Sequence, residues 1–347
     1  MPGDVNLEPG AGESRRRATI RDVATFAGVS HQTVSRVLNA SPNVAEPTRA
    51  RVLAAIEQLG YVPNPIARGL SSNRTHSVGV VTDDISDFFF GHMVAGAETE
   101  ARRRGYYLMI GSVERGDDER GYLRLLLERR VEGLILARPS VPLRGEHLLA
   151  ARRAGVPLVL VGSSRVPGVV IVDVDNRQGG YDATRHLLER GHRRIATIVG
   201  PEEWPSSMAR LDGYRRALQA FRVPEDANLE EHAADWDVES GEAAAARLLQ
   251  RDRSFTALFA HSDLIALGAI ARLREAGLRV PDDVSVVGYD DLPVAAVFEP
   301  PLTTVHQPMQ EVGALACSLL LDDVTGGEPT QADIHLLPAA LVLRGSA

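Results

Sequence analysis

Seven short apolar runs constrain this chain more than any other feature. They are VGVV (78–81), YLMIGS (107–112), GLILA (133–137), PLVLVG (157–162), RIATIVG (194–200), TALFAH (256–261) and VSVVGYD (284–290). Each is too short for a core helix and too continuously apolar for a strand with one wet face. They read as parallel strands buried on both sides. Amphipathic stretches at 92–104, 117–129, 178–190, 210–221, 240–250 and 264–276 lie among them and supply crossover helices. Such alternation makes open, doubly wound sheets. One sheet rarely takes so many units, and the break near DVDNRQGG (173–180) suggests a second, similar half. A last strand-like stretch, HLLPAALVLR, covers 335–344.

Ligands of open parallel sheets sit beyond the carboxyl ends of the strands. The residues just after the strands are therefore the candidates for a cleft. They are Asp83–Phe90, Ser112, Arg138, Gly162–Ser163, Asp175, Trp204–Arg210, His261–Asp263 and Tyr289–Asp291.

Ahead of the strands lies TIRDVATFAGVSHQTVSRVLN (19–39). Thr19 is a good N-cap, with Asp22 three residues on completing a capping box. Gly28 stops the first helix and permits a sharp turn. Ser30 starts a second helix running to about Leu38. On a helical wheel begun at His31, Val34, Val37 and Leu38 fall together at roughly 240–340°. His31, Gln32, Ser35 and Arg36 fall at roughly 0–140°. The pair reads as a helix-turn-helix whose apolar face packs inward and whose polar face reads base edges, Arg suiting guanine and Gln adenine. A plain surface helix pair fits the same local pattern. Residues 43–60 read as a third helix, with Pro47 near its start and Gly60 past its end. Pro63, Asn64 and Pro65 then break the chain before a weak helical segment at 66–72.

Charge divides the chain the same way. Residues 15–76 hold nine arginines against three acids, whereas residues 77–347 hold 29 arginines against 40 acids. A basic head on an acidic body fits a nucleic-acid reader joined to something else. The chain has no lysine, so every strong cationic contact falls to Arg or protonated His. No apolar run approaches the length of a membrane span, and the N-terminus lacks the apolar core of a secretory signal. A cytoplasmic protein with no membrane partner is expected. The single cysteine, Cys317, lies in an apolar helical run and reads as a buried structural thiol. Paired acids occur at Asp83–Asp84, Asp117–Asp118 and Asp290–Asp291, but at loop ends and helix starts. No GxSxG, P-loop or HExxH motif accompanies them. Neither an enzyme nor a metal or cofactor is expected.

TIRDVATFAGVSHQTVSRVLN, then VAEPTRARVLAAIEQLGYVPNPIARGL, then SVGVV resemble the lactose-repressor (LacI/GalR) family of bacterial transcription regulators, and the resemblance extends over nearly the whole chain. It implies an all-α helix-turn-helix head followed by an α/β core of two doubly wound parallel-sheet subdomains, periplasmic-binding-protein-like. The expected divisions are a disordered tail (1–17), the head (18–62), a hinge (63–76) and a two-lobed body (77–347). Lobe one would take about 77–175 and 306–340, and lobe two about 176–305. The chain would cross between lobes three times, the last near TTVHQP (303–308).

The resemblance also implies site residues. The DNA-contacting set is Thr19, His31, Gln32, Thr33, Ser35, Arg36, Asn39 and Arg68, with Leu70 wedging into the minor groove. The effector set is Phe89, Phe90, Asp175, Trp204, Ser206, Arg210, Trp236, Ser262, Asp263 and Asp290. Arg210 matches a family arginine that grips effector, Asp290 a family carboxylate and Trp236 a cleft aromatic. Ser262 and Asp263 stand where many sugar-binding members read Asn-Asp, so the Asn is missing here. Trp204 stands where some purine-responsive members carry a basic residue. Two tryptophans beside Arg, Asp and Ser favour a sugar; a purine or nucleoside is the alternative effector. Operator DNA and a second copy are the other implied partners, as a dimer without a tail-assembled tetramer. A solute-binding protein shares the two-lobed body but lacks the head.

Overall fold

A computed structural model of the chain describes residues 18–38, 41–61, 74–82, 85, 88–112, 126–137, 155–162, 166, 168–326 and 333–347. Contacts divide it into two units, at residues 1–75 and 76–347. Among its described residues the first unit holds three helices: Ile20–Ala27 (α1), His31–Leu38 (α2) and Glu46–Leu59 (α3). Val23, Ala24, Ala27, Val34, Val37, Val52 and Ala55 form its core, drawn from all three. The third helix starts three residues later than the sequence suggests, because Val44 packs inward ahead of it and Pro47 lies in its first turn.

The second unit contains two main sheets. Ser77–Thr82 (β1), Tyr107–Ser112 (β2), Gly133–Ala137 (β3), Leu158–Val161 (β4) and Val170–Val174 (β5) lie parallel in one, joined at its edge by Ile334–Leu337 (β11). The other comprises Ile195–Val199 (β6), Glu230–His232 (β7), Ala257–Ala260 (β8) and Ser285–Val287 (β9), also parallel. Thr304–His306 (β10) pairs antiparallel with Ala340–Val342 (β12) and bridges to the second sheet through Val287 and Asp290. All seven expected strands form. The sequence scan passed over β5 and β7, the first because Asp173 interrupts VIVDV and the second because EEH is wholly polar.

Among the described residues helices cover both faces of the four-stranded sheet and one face of the six-stranded sheet, as buried parallel strands require. Phe88–Arg103 (α4) and Met309–Val324 (α9) cover one face of the six-stranded sheet. Successive residues of β3 serve opposite faces: Ile135 and Ala137 face these helices, Leu134 and Leu136 the other side. Cys317 on α9 is fully buried, and burial pushes its thiol up to about 12. Asn176–Glu189 (α5) and Pro205–Ala220 (α6) cover one face of the second sheet; Val238–Arg251 (α7) and Asp263–Glu275 (α8) cover the other. Among the described residues no helix is long and apolar enough to cross a membrane.

The chain leaves the first sheet after β5, returns with α9, and leaves again after β11. The last passage is therefore at 337–340 rather than at 303–308. The expected strand 335–344 is two strands in different sheets, parted at Pro338. Proline cannot donate to a ladder, which makes it a natural place to change sheets. The C-terminal residues then join the second sheet, where the Ser346 hydroxyl accepts from the Thr303 amide at 2.8 Å.

Each helix pair crosses at reciprocal glycines. Gly96 on α4 faces the Gln310 carbonyl, and Gly313 on α9 faces that of Met93. Gly180 and Gly213 do the same between α5 and α6, and Gly241 and Gly268 between α7 and α8. A Cβ at any of these six would overlap backbone, which cannot swing aside as a side chain could. Gly213→Ala should therefore destabilise the body by about 1–3 kcal/mol, the usual range for overpacking. Gly91, helical with open space beside it, should show the opposite sign. Gly91→Ala gains up to about 1 kcal/mol of helix propensity. Urea unfolding of both variants checks the contrast.

Asp263, at the start of α8 and fully buried, fastens the loop after β9. One carboxylate oxygen accepts from the Thr304 hydroxyl at 2.5 Å and the other from the Leu292 amide at 2.8 Å. Burial pushes its carboxyl up to about 7, against the pull of these two donors. A raised acid binds a proton in the folded state that the unfolded state has lost. Its contribution therefore fades as pH rises from about 4 to about 7, by at most about 1.4 kcal/mol per pH unit. Asp263→Asn should flatten that part of the stability profile, measured by thermal unfolding between pH 5 and 8.

Candidate DNA-reading helix and effector cleft

The head presents α2 by local chemistry. The Thr19 hydroxyl accepts from the Asp22 amide at 3.3 Å, and the Asp22 carboxylate accepts from the Thr19 amide at 2.8 Å, a complete capping box. Gly28 takes φ +66° and returns its amide to the last turn of α1. The Ser30 hydroxyl accepts from the Thr33 amide at 3.1 Å and starts α2. Val34 and Val37 are buried, Thr33 and Ser35 are half-buried, and His31, Gln32 and Arg36 are exposed, as is Thr19. Five residues of the expected set thus lie along one short helix, with two donors suited to base edges on its open side. Asn39, Arg68 and Leu70 fall outside the described residues.

In the body the site is centred on Arg210, a guanidinium 4 % exposed on the second turn of α6. Its Nε donates to Asn176 Oδ1 at 2.9 Å, and Nη1 donates to the His261 carbonyl just beyond β8. Nη1 also lies 3.7 Å from Asp290 Oδ1. The guanidinium stacks 3.7 Å from the centre of the Tyr289 ring and 5.5 Å from that of Trp236. Asp290 follows β9 at φ +120°. Its Oδ1 accepts from Gln307 Nε2 at 2.7 Å. Trp204 and Trp236 meet edge to face, ring centres 5.8 Å apart. The Trp236 ring lies over Gly200, where a Cβ would strike both it and the Ser207 hydroxyl.

Four buried polar atoms in this cluster have no hydrogen-bond partner among the described residues: Trp236 Nε1, Ser207 Oγ, His261 Nδ1 and Tyr289 Oη. Burial, followed by the nearby Arg210 cation, holds the His261 ring well below its usual range, so it is neutral. Burial likewise pushes the Tyr289 phenol up. The cluster thus offers a guanidinium, a carboxylate, aromatic faces and neutral donors and acceptors in one place.

The expected effector residues divide. Arg210, Asp290, Trp204 and Trp236 come together, and Ser206 is half-buried on the first turn of α6. Phe90 does not join them: it packs in the first sheet's core with Met93 and Val80. Its neighbour Phe89 is half-buried and edge-on to Phe88 at 5.5 Å. Asp175 caps α5, accepting from the Gln178 amide at 2.9 Å. The Ser262 hydroxyl caps α8, and Asp263 is spent on Thr304 and Leu292. Asp83, Asp84, Arg138 and Ser163 lie outside the described residues. Asn176 and Gln307 were missed by sequence reasoning, whereas Ser207 lies within the candidate stretch Trp204–Arg210. Nothing in spacing marks the two amides, though Asn176 sits one residue from a predicted contact. Among the described residues no group of three or more His, Cys, Asp or Glu could hold a metal.

Comparison with known proteins places this architecture. Residues 19–64 match the bacterial regulatory proteins of the lacI family, and residues 184–347 match a periplasmic binding protein-like domain. The chain is 36% identical over 312 residues to the HTH-type transcriptional repressor PurR of Vibrio atlanticus (strain LGP32), spanning 88% of this chain and 92% of that protein. A solved complex of the transcriptional regulator CelR with cellobiose superposes with a TM-score of 0.73 at 38% identity, over 95% of this chain and 100% of the other. The lac repressor dimer bound to operator and the anti-inducer ONPF gives a TM-score of 0.84 at 32% identity, over 95% and 99%. With its helix-turn-helix head and its body of two parallel sheets, the chain belongs to the lacI family of bacterial regulatory proteins.

Proposed function

We propose that this protein is a cytoplasmic, homodimeric repressor whose affinity for operator DNA is set by a sugar bound at Arg210, Asp290, Trp204 and Trp236. The observation that carries the effector site is the set of four unpartnered polar atoms beside a buried guanidinium. Buried donors and acceptors are nearly always paired, so an unpaired group asks for an explanation. A polyhydroxylated ligand supplies both donors and acceptors to them. Its hydroxyls suit the Arg210 fork and the Asp290 carboxylate. Its apolar face suits the Trp204–Trp236 corner. The likeness to CelR in complex with cellobiose supports a sugar. A purine is the second reading, favoured by the likeness to PurR.

The head reads DNA through α2, with Arg36 and Gln32 on base edges and Thr19, His31, Thr33, Ser35 and Asn39 around them. Arg68 and Leu70 act in the minor groove next to the head. Pairing of two bodies sets two heads on half-sites related by the same two-fold axis. Ligand and operator are coupled, so each alters affinity for the other by the same factor, on the order of 5- to 150-fold.

Arg36→Ala should cost about 1–3 kcal/mol on the specific site and relax preference at one base position, leaving random-sequence binding almost unchanged. Fluorescence anisotropy with operator and scrambled duplexes measures this; equal losses on both would reduce Arg36 to a phosphate contact. Arg210→Ala should remove the ligand response while ligand-free operator binding persists. A screen of mono- and disaccharides against nucleosides, read by thermal shift and then by operator affinity, distinguishes sugar from purine. A full response by Arg210→Ala would move the effector site elsewhere.

A further inference from the structure

Among the described residues the chain passes between the sheets three times, and two of these passages reach the same guanidinium or the carboxylate beside it. Asn176 begins α5, immediately after the first passage. Its Nδ2 donates to the carbonyl of Val174, the last residue of β5, at 3.2 Å, and its Oδ1 accepts from Arg210 Nε at 2.9 Å. The amide orientation is fixed by chemistry: a carbonyl only accepts and a guanidinium only donates. Gln307 lies in the second passage, between β10 and α9. Its Nε2 donates to Asp290 Oδ1 at 2.7 Å, the same oxygen that lies 3.7 Å from Arg210 Nη1. The Asp290 amide donates to the Val305 carbonyl of β10 at 2.7 Å. The third passage is laid against the second, since β12 pairs residue by residue with β10.

Neither amide is needed where it stands for the local fold. Asp175, not Asn176, caps α5, and the β10 ladder is made of backbone bonds that omit the Gln307 side chain. Each instead joins a passage to the Arg210–Asp290 pair. A carboxylate at position 176 would pair with Arg210 but could not donate to Val174. An apolar residue at either position would do neither.

We propose that Asn176 and Gln307 are positioning residues that clamp the Arg210–Asp290 pair to two of the three passages, so that a ligand re-pairing Arg210 or Asp290 moves both passages together. The ligand half of this statement rests on the effector site proposed above; the clamp itself does not.

Hydrogen exchange of the full chain, read by mass spectrometry without effector, tests the clamp. Gln307→Met keeps the length and removes the donor. It should speed exchange on the order of threefold or more in peptides over 303–308 and also in those over 205–212 and 173–178, which it does not touch. Peptides from β1 and β3 should be unchanged, which verifies folding. Asn176→Leu should loosen the same three segments. Gln307→Lys, which keeps an N–H donor toward Asp290, should restore slow exchange. If Gln307→Met alters 303–308 alone, or if Gln307→Lys fails to restore 205–212, Gln307 is a local contact and the clamp is wrong. A second arm adds cellobiose as the probe, read by tryptophan fluorescence. Trp204 and Trp236 are the only tryptophans in the chain, so the signal comes from the site alone. Silence of the wild type toward cellobiose counts against the proposed sugar and leaves the exchange result to judge the clamp.

Discussion

A buried guanidinium must be paid for by its surroundings, and the second half of the body is arranged around this one. Moving a cation from water into a protein interior costs several kcal/mol unless hydrogen bonds and opposite charge offset it. Arg210 receives an amide oxygen from α5, a main-chain carbonyl from the end of β8, a carboxylate from the loop after β9 and two aromatic faces. These partners come from four separate stretches of chain. The doubly wound sheet brings them together because the carboxyl ends of its strands and the start of the crossover helix α6 share one edge. The side chain is thus committed to one place, and a ligand that meets it there acts on everything it holds.

Precision at that edge comes from close backbone approach and from strain. Gly180 and Gly213 let α5 and α6 approach closely, and Gly180 does so against the backbone of Arg210 itself. Asp290 and Asp291 take φ of +120° and +56° in succession. Non-glycine residues rarely adopt such values, and each costs on the order of 1–3 kcal/mol in the least favourable regions. Surrounding bonds hold them: Asp290 through Val305, Gln307 and Arg210, Asp291 through Arg344 at 2.6 Å and His306 at 3.1 Å. Backbone strain of this kind gathers at ligand sites and switch regions, consistent with the role proposed for the loop.

The head works on a smaller scale and by nearer neighbours. Its capping box, its left-handed glycine and its alternation of buried valines with exposed polar residues are all settled within four residues of one another. The body is settled over a longer range, as Asn176 and Gln307 show by meeting the same ion pair from two different passages.

That difference in range separates what was legible from what was not. The sequence by itself determined seven strands of the two sheets, the helix-turn-helix and the inward and outward faces of α2, because period, capping and glycine position act locally. It also pointed to Arg210, Asp290 and the two tryptophans, through strand ends and resemblance. It did not foresee that Phe90 packs in the first sheet's core, since an aromatic just past a strand suits a core as well as a cleft. It read 335–344 as a single strand, since apolar pattern reports burial and not which sheet does the burying. Only the tertiary structure decided that Asp263 and Ser262 are spent on the backbone around α8, and that Asn176 and Gln307 belong with Arg210. Hydrogen-bond partners 17 to 51 residues apart leave no periodic trace, and a buried charge selects them only after the sheets have brought them within reach.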